Sequence, residues 1–293
     1  LLSSSVLHAA PYPCSDDLES GLGAWSGGSW GLSSLSSVSP TQCVADSPAG
    51  YYTNGTDASL AIGSNLNLSA AVQPALSFWH RYELEDGWDF ASVEVSTNSG
   101  VTWVALSGDY TGTRAAWSRE QFDLTSAAGM SGVRVRFRIR TDSSVVMDGW
   151  FVDNIRIGEK PAAPTLYSPS SISANAMTLR WTPSAESAFA SYRLYRVIGT
   201  NLDWHTARLV AEVTSAATTN FTDNTLCPKT RYAYRLMVLL TNGIHNLSGE
   251  VTAQTVAGVD FPFLDNGEAG GGIWVADPPW ALSSESSASP TNS

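Results

Sequence analysis

The octet Val133-Arg134-Val135-Arg136-Phe137-Arg138-Ile139-Arg140 alternates without a break, four apolar side chains against four arginines. Successive side chains of a β-strand point to opposite faces, so this pattern predicts a half-buried strand with one face in a core and the other in water. A helix of the same residues would spread its arginines around the whole surface and have no face to bury. Leu76-Ser77-Phe78-Trp79-His80-Arg81-Tyr82 and Ser92-Val93-Glu94-Val95-Ser96 carry the same period. The second of these is expected to turn through Asn98-Ser99-Gly100 into Val101-Thr102-Trp103 as a hairpin. A further strand is expected over residues 150–157.

Composition agrees with strands and turns: 43% hydrophobic and only 15% charged residues, with 24 Gly and 14 Pro in 293 residues. That length exceeds one small β domain and suits about two. Sixteen Lys and Arg against 27 Asp and Glu leave a net charge of −11, so the basic surface that neutralises phosphates is missing. Nucleic acid and anionic membranes are therefore unexpected partners. No apolar run approaches the ~18–20 residues that a transmembrane helix needs. An acidic, Ser/Thr-rich surface fits an extracellular or cell-surface protein that meets divalent cations or neutral sugars.

Glu159-Lys160-Pro161-Ala162-Ala163-Pro164 is a proline-punctuated break, as expected of an interdomain linker. From there to about residue 257 seven short strands are expected, among them 177–181, 192–197, 209–213, 231–239 and 250–255, the count of an immunoglobulin-like sandwich. At an offset of 250, Trp280 to Ser293 echoes Trp30 to Cys43 with nine of fourteen positions identical. Residues 258–293 therefore read as the incomplete start of a second copy of the first domain. Residues 1–11, in which Leu2 to Ala9 can be laid on Leu247 to Gln254, read as the tail of a preceding repeat or a linker. Domains are then expected at 12–158 and 159–257.

The order Leu76 to Tyr82, Trp88-Asp89, Val93 to Trp103, Trp117, Phe122-Asp123-Leu124, Val133 to Arg140 and Asp148-Gly149-Trp150-Phe151-Val152-Asp153-Asn154 resembles the MAM-like jelly roll attached to immune-inhibitor-A-type bacterial metalloproteases. Asp17-Leu18-Glu19 is similar to the Asp-Phe-Glu opening of that superfamily, with Leu18 in place of Phe. In the second domain Trp181, Tyr192-Arg193-Leu194-Tyr195-Arg196 and the tyrosine-corner pattern Leu226-Cys227-Pro228-Lys229-Thr230-Arg231-Tyr232 resemble fibronectin type III. The resemblance implies an all-β chain, a jelly-roll β-sandwich followed by an immunoglobulin-like fibronectin type III β-sandwich. It also implies accessory modules of a secreted protein, with no catalytic residue carried over. Jelly rolls of this kind often place calcium near their first and last strands, which makes Asp17, Glu19, Asp57 and Asp153 the expected oxygen ligands.

Motifs for hydrolysis are missing: the histidines are His8, His80, His205 and His245, and no His-Glu-x-x-His run exists. There is no Gly-x-Ser-x-Gly elbow, phosphate loop or dinucleotide fingerprint. His80 reads as a sheet-face residue, and the acidic cluster Glu83, Glu85, Asp86 and Asp89 as a solvated connection between strands. Cys14 and Cys43 are both replaced in the second copy, which suggests a disulfide between them, two buried thiols being the alternative. Cys227 is left over. Asn54, Asn67, Asn220 and Asn246 head glycosylation sequons. Of the many aromatics, Tyr51, Tyr52, Trp88, Tyr110 and Trp204 fall in loops, where their faces could stack on sugar rings. The function expected is a non-catalytic repeat of a surface scaffold, filament or adhesin whose partners are neighbouring repeats or its own copies. The alternative is a polysaccharide-binding accessory module of a larger secreted hydrolase or protease.

Overall fold

A computed structural model describes residues 11–258. The repeat at 280–293, the segment 1–10 and Cys43's counterpart Ser293 lie outside the described residues. Eleven strands build the first unit: β1 (Cys14–Asp16), β2 (Trp25–Gly27), β3 (Gly31–Ser33), β4 (Cys43–Ala45), β5 (Asp57–Ile62), β6 (Pro74–Glu83), β7 (Phe90–Ser96), β8 (Val104–Ala105), β9 (Thr113–Asp123), β10 (Arg134–Arg140) and β11 (Gly149–Glu159). One sheet runs β3-β4-β11-β6-β9, with β1 also on β11; the other runs β2-β5-β10-β7-β8, and all pairings are antiparallel.

The two sheets close on one core. Val133, Val135, Phe137 and Ile139 are fully buried, and the Phe137 ring meets Phe78 of the opposite sheet edge-on at 4.9 Å and Trp150 at 5.5 Å. The arginines between them face outward along the sheet, where Arg136 pairs with Glu94 and lies 4.4 Å over the Trp103 ring, while Arg138 grips Asp57. The expected hairpin forms, but Trp103 sits before β8 rather than in it.

β11 is longer than its alternation allows, and a bulge resolves the conflict. Trp150 and Val152 face the core, as do Ile155 and Ile157, so the parity changes between them. The register with β6 shifts between Asp153 and Arg156, and Asn154 sits at φ +50°. One residue in the left-handed region takes up the extra step, a conformation that Asn tolerates better than most residues.

The second unit comprises β12 (Met177–Arg180), β13 (Phe189–Ile198), β14 (Arg208–Val213), β15 (Asn220–Asp223), β16 (Arg231–Leu240), β17 (His245–Leu247) and β18 (Val251–Gln254). β12 pairs β15, and β14-β13-β16 continues into β17 and β18. Residue 166 bridges Trp181 beside β12. This is the strand arrangement of a fibronectin type III sandwich. The tyrosine corner closes as expected, the Cys227 amide donating to the Tyr232 hydroxyl at 2.8 Å.

The two sandwiches meet through the β16–β17 hairpin. Gln121 of edge strand β9 donates from Nε2 to the His245 carbonyl and accepts the His245 amide at Oε1, both at 2.9 Å, as a paired strand would. Asn246 Nδ2 donates to Gln73 Oε1 and to the Pro161 carbonyl. Ile244 is 1% exposed against Gly158. At the hairpin tip Gly243 has φ +86°, and a Cβ there would stand 2.0 Å from the Arg119 guanidinium. The left-handed φ of the turn favours glycine, and any larger residue would also have to push the Arg119 side chain aside.

Candidate functional site

β6, β9 and β11 all have the joint at one end. At the other end three loops come together: 46–56, 84–89 and 141–148. They are stitched by backbone bonds, Tyr52 N to Met147 O at 3.2 Å and Gly55 N to Asp142 O at 2.5 Å, and by Asn54 Nδ2 to Ser143 O at 3.2 Å. Tyr52 is the central pin. Its hydroxyl donates to Asp89 Oδ2 at 2.5 Å and accepts the Glu85 amide at 3.2 Å, and burial together with the Asp89 carboxylate raises its pKa.

Asp89 is wholly buried, and its second oxygen accepts the Asp142 amide at 2.8 Å. Glu85, Asp89 and Asp142 each bring one oxygen within 4.8 Å of the others. Burial and these two neighbouring carboxylates raise the pKa of Glu85. The acidic connection is thus partly structural rather than merely solvated, and Asp142 joins it from a loop 53 residues away. No spacing in the sequence signals that meeting.

Behind this cluster, Asp46 is 1% exposed and accepts the Trp150 amide at 2.6 Å. Burial pushes its carboxyl up to about 7, against the pull of that hydrogen bond. Gly149, at φ +91°, makes the approach possible, since a Cβ would lie 2.3 Å from the Asp46 oxygen. Beside Asp46 a cleft of about 450 Å³ opens to solvent, edged by Ser29, Ser47, Pro48, Tyr51 and Thr56. Sequence reading passed over Asp46, because one Asp in a Ser/Pro loop carries no pattern.

The expected aromatics divide. Tyr51 and Trp88 are 69% and 63% exposed at this loop end. Trp204 is exposed on the other sandwich, edge-on to Tyr195 at 5.2 Å. Tyr52 is 3% exposed, and Tyr110 packs on the core beside His80 with its hydroxyl on Glu120, so neither offers a ring face to a ligand. His80 itself points inward, accepting from Trp150 Nε1 at 3.2 Å and lying 3.4 Å from Glu120.

The expected calcium ligands do not fit one ion. Asp57, on the five-stranded sheet, is spent on Arg138, which holds it below the usual carboxylate range. Asp153 accepts the Val38 and Ser39 amides at 2.7 and 2.8 Å from within the six-stranded sheet. Glu19 accepts from Thr41, Gln42 and Ser39; the Thr41 hydroxyl leads in holding it down to about 2. Asp17 caps the Glu19 amide at 3.2 Å. Each anion has found amides or a guanidinium within the fold, and among the described residues only Glu85, Asp89 and Asp142 cluster as ligands would.

The expected Cys14–Cys43 disulfide does not form; both thiols are free, as is Cys227. Cys14 packs on the intersheet core, whereas Cys43 lies with Ala45 and Phe151 on the opposite face of the same sheet, under Trp117. Alternation separates them: Val44 faces the core, so Cys43 cannot. Of the sequons, Asn54, Asn67 and Asn220 are exposed. Asn246 is not available, because its side-chain nitrogen is bound within the joint.

Residues 36–161 match the family described as Immune inhibitor A-like, MAM domain. Bacillopeptidase F of Bacillus subtilis (strain 168) is 29% identical over 125 residues, 40% of this chain, and the chain spans 8% of that protein's length. Among solved structures, pectate lyase PelI from Erwinia chrysanthemi in complex with tetragalacturonic acid is 28% identical over 31% of this chain and 28% of its own, at a TM-score of 0.27. The fibronectin type-III domain of human fibronectin type III domain containing protein 3 is 17% identical over 34% of this chain and 91% of its own, at 0.29. The first sandwich thus matches the immune inhibitor A-like MAM domain over residues 36–161, and its two-sheet topology agrees with that match.

Proposed function

We propose that this chain is a non-catalytic segment of a longer secreted protein, a stiff two-sandwich spacer that holds the loop end of its MAM-like domain out toward the surroundings. The observation that carries this reading is the joint, in which paired side-chain and backbone hydrogen bonds and a buried Ile244 fix the second sandwich at the end of the first that lies opposite the loops. A short connection without such an interface would leave relative motion of the two domains as the default. The repeat at an offset of 250 supports an array built from such pairs, each unit touching mainly its neighbours. Kinship with part of a bacillopeptidase supports placement outside the cell.

Small-angle X-ray scattering of the full chain tests the spacer. The profile is expected to fit one arrangement of the two sandwiches, and Gly243→Trp, which drives a side chain into Arg119, is expected to convert it to that of two hinged bodies. A native chain that already scatters as hinged bodies overturns the reading.

A further inference from the structure

The cleft beside Tyr51 has three properties of a ligand site. Its volume of about 450 Å³ lies in the range of small-molecule sites, about 300–1,000 Å³. Its rim offers one large ring, 69% exposed, among hydroxyl-bearing side chains, Ser29, Ser47, Thr53 and Thr56. And the backbone that carries the ring is fixed, since the next residue, Tyr52, is tied to Asp89, Glu85 and Met147. With the backbone fixed, only the side-chain torsions of Tyr51 remain to be ordered on contact.

We infer that this cleft binds a neutral polysaccharide chain, with Tyr51 as the platform on which a pyranose ring stacks and the surrounding hydroxyls and backbone groups as partners for the sugar hydroxyls. Stacking on an aromatic face needs the C–H side of a sugar and no charge. No Lys, Arg or His lines the cleft, and the chain carries a net charge of −11, so an anionic polymer finds no counter-charge there. Asp46 also lines the cleft but is 1% exposed and turned to the Trp150 amide, so it presents little charge to a ligand. The inference rests on the presenting role proposed above in one respect, that the loop end faces outward.

Affinity electrophoresis of the full chain through native gels containing xyloglucan, galactomannan or soluble β-glucan, with polygalacturonate as the anionic comparison, tests it. At least one neutral polymer is expected to retard the protein, and polygalacturonate is not. Tyr51→Ala is expected to weaken that binding about ten-fold, the scale of one lost aromatic contact, while Tyr51→Phe keeps most of it. Tyr167→Ala, an exposed tyrosine on the second sandwich, is expected to change nothing. No retardation in any neutral gel, or retardation that Tyr51→Ala retains, overturns the inference. Hinged scattering with retardation intact would instead remove the spacer and leave the site.

Discussion

The three cysteines sit in three environments, and their chemistry follows from burial. Cys43 is wholly buried, and desolvation pushes its thiol up to about 12; Cys14 is half-buried at about 11. A thiol so far from its thiolate is a poor nucleophile. With iodoacetamide at pH 8, Cys227, exposed, is expected to be alkylated first, and Cys43 only on unfolding, as read by intact mass. Non-reducing digestion should yield no linked peptide. Asp46 gives a second test with a definite sign. Its folded pKa, about 7, exceeds the unfolded value near 3.9, so the folded state binds the extra proton. Stability from this group is full below about pH 4 and is lost as pH rises toward 7. Asp46→Asn keeps an acceptor for the Trp150 amide, and in urea titrations it is expected to flatten that part of the pH profile. His80 lies on a sheet face, and the structure adds that this is the inner one, because alternation gives parity without saying which parity is inward.

At the scale of elements, periodicity carried most of the fold. The strand at 133–140 was legible because four buried residues and four arginines leave no other solution, and its core side is strict. Phe137→Ala is expected to cost about 3–5 kcal/mol in chemical denaturation, since the ring contacts Trp25, Phe78 and Trp150. β9 was less legible: its eleven residues are partly exposed throughout and show no buried stripe. Phe122, near its end, packs against the intersheet core while remaining partly exposed. The bulge at Asn154 escaped for the opposite reason, because both halves of β11 alternate cleanly and only their junction breaks step.

For the molecule as a whole, the joint is where tertiary structure adds most. Burial, with Arg119, Arg193 and Lys160 nearby, depresses the His245 pKa, so protonation opposes the folded joint. The unfolded state takes the proton first, near pH 6.5, and the joint is expected to weaken as pH falls through and below that value. Proteolysis of the 160–164 connection at pH 7.5 and pH 5 should show faster cleavage at the lower pH, and His245→Gln should remove the difference. Alternating strands and the proline break determined from sequence alone an all-β chain divided near residue 160, because those signals are local and repeat at the period of the backbone, while the ordered motifs and the Leu226 to Tyr232 pattern carried the resemblance to MAM-like and fibronectin type III sandwiches. The meeting of Asp142 with Glu85 and Asp89, the opposite faces of Cys14 and Cys43, and the pairing of Gln121 with His245 were decided only in three dimensions. Each joins residues far apart in the chain, through side-chain directions that a bulge or a turn can reverse.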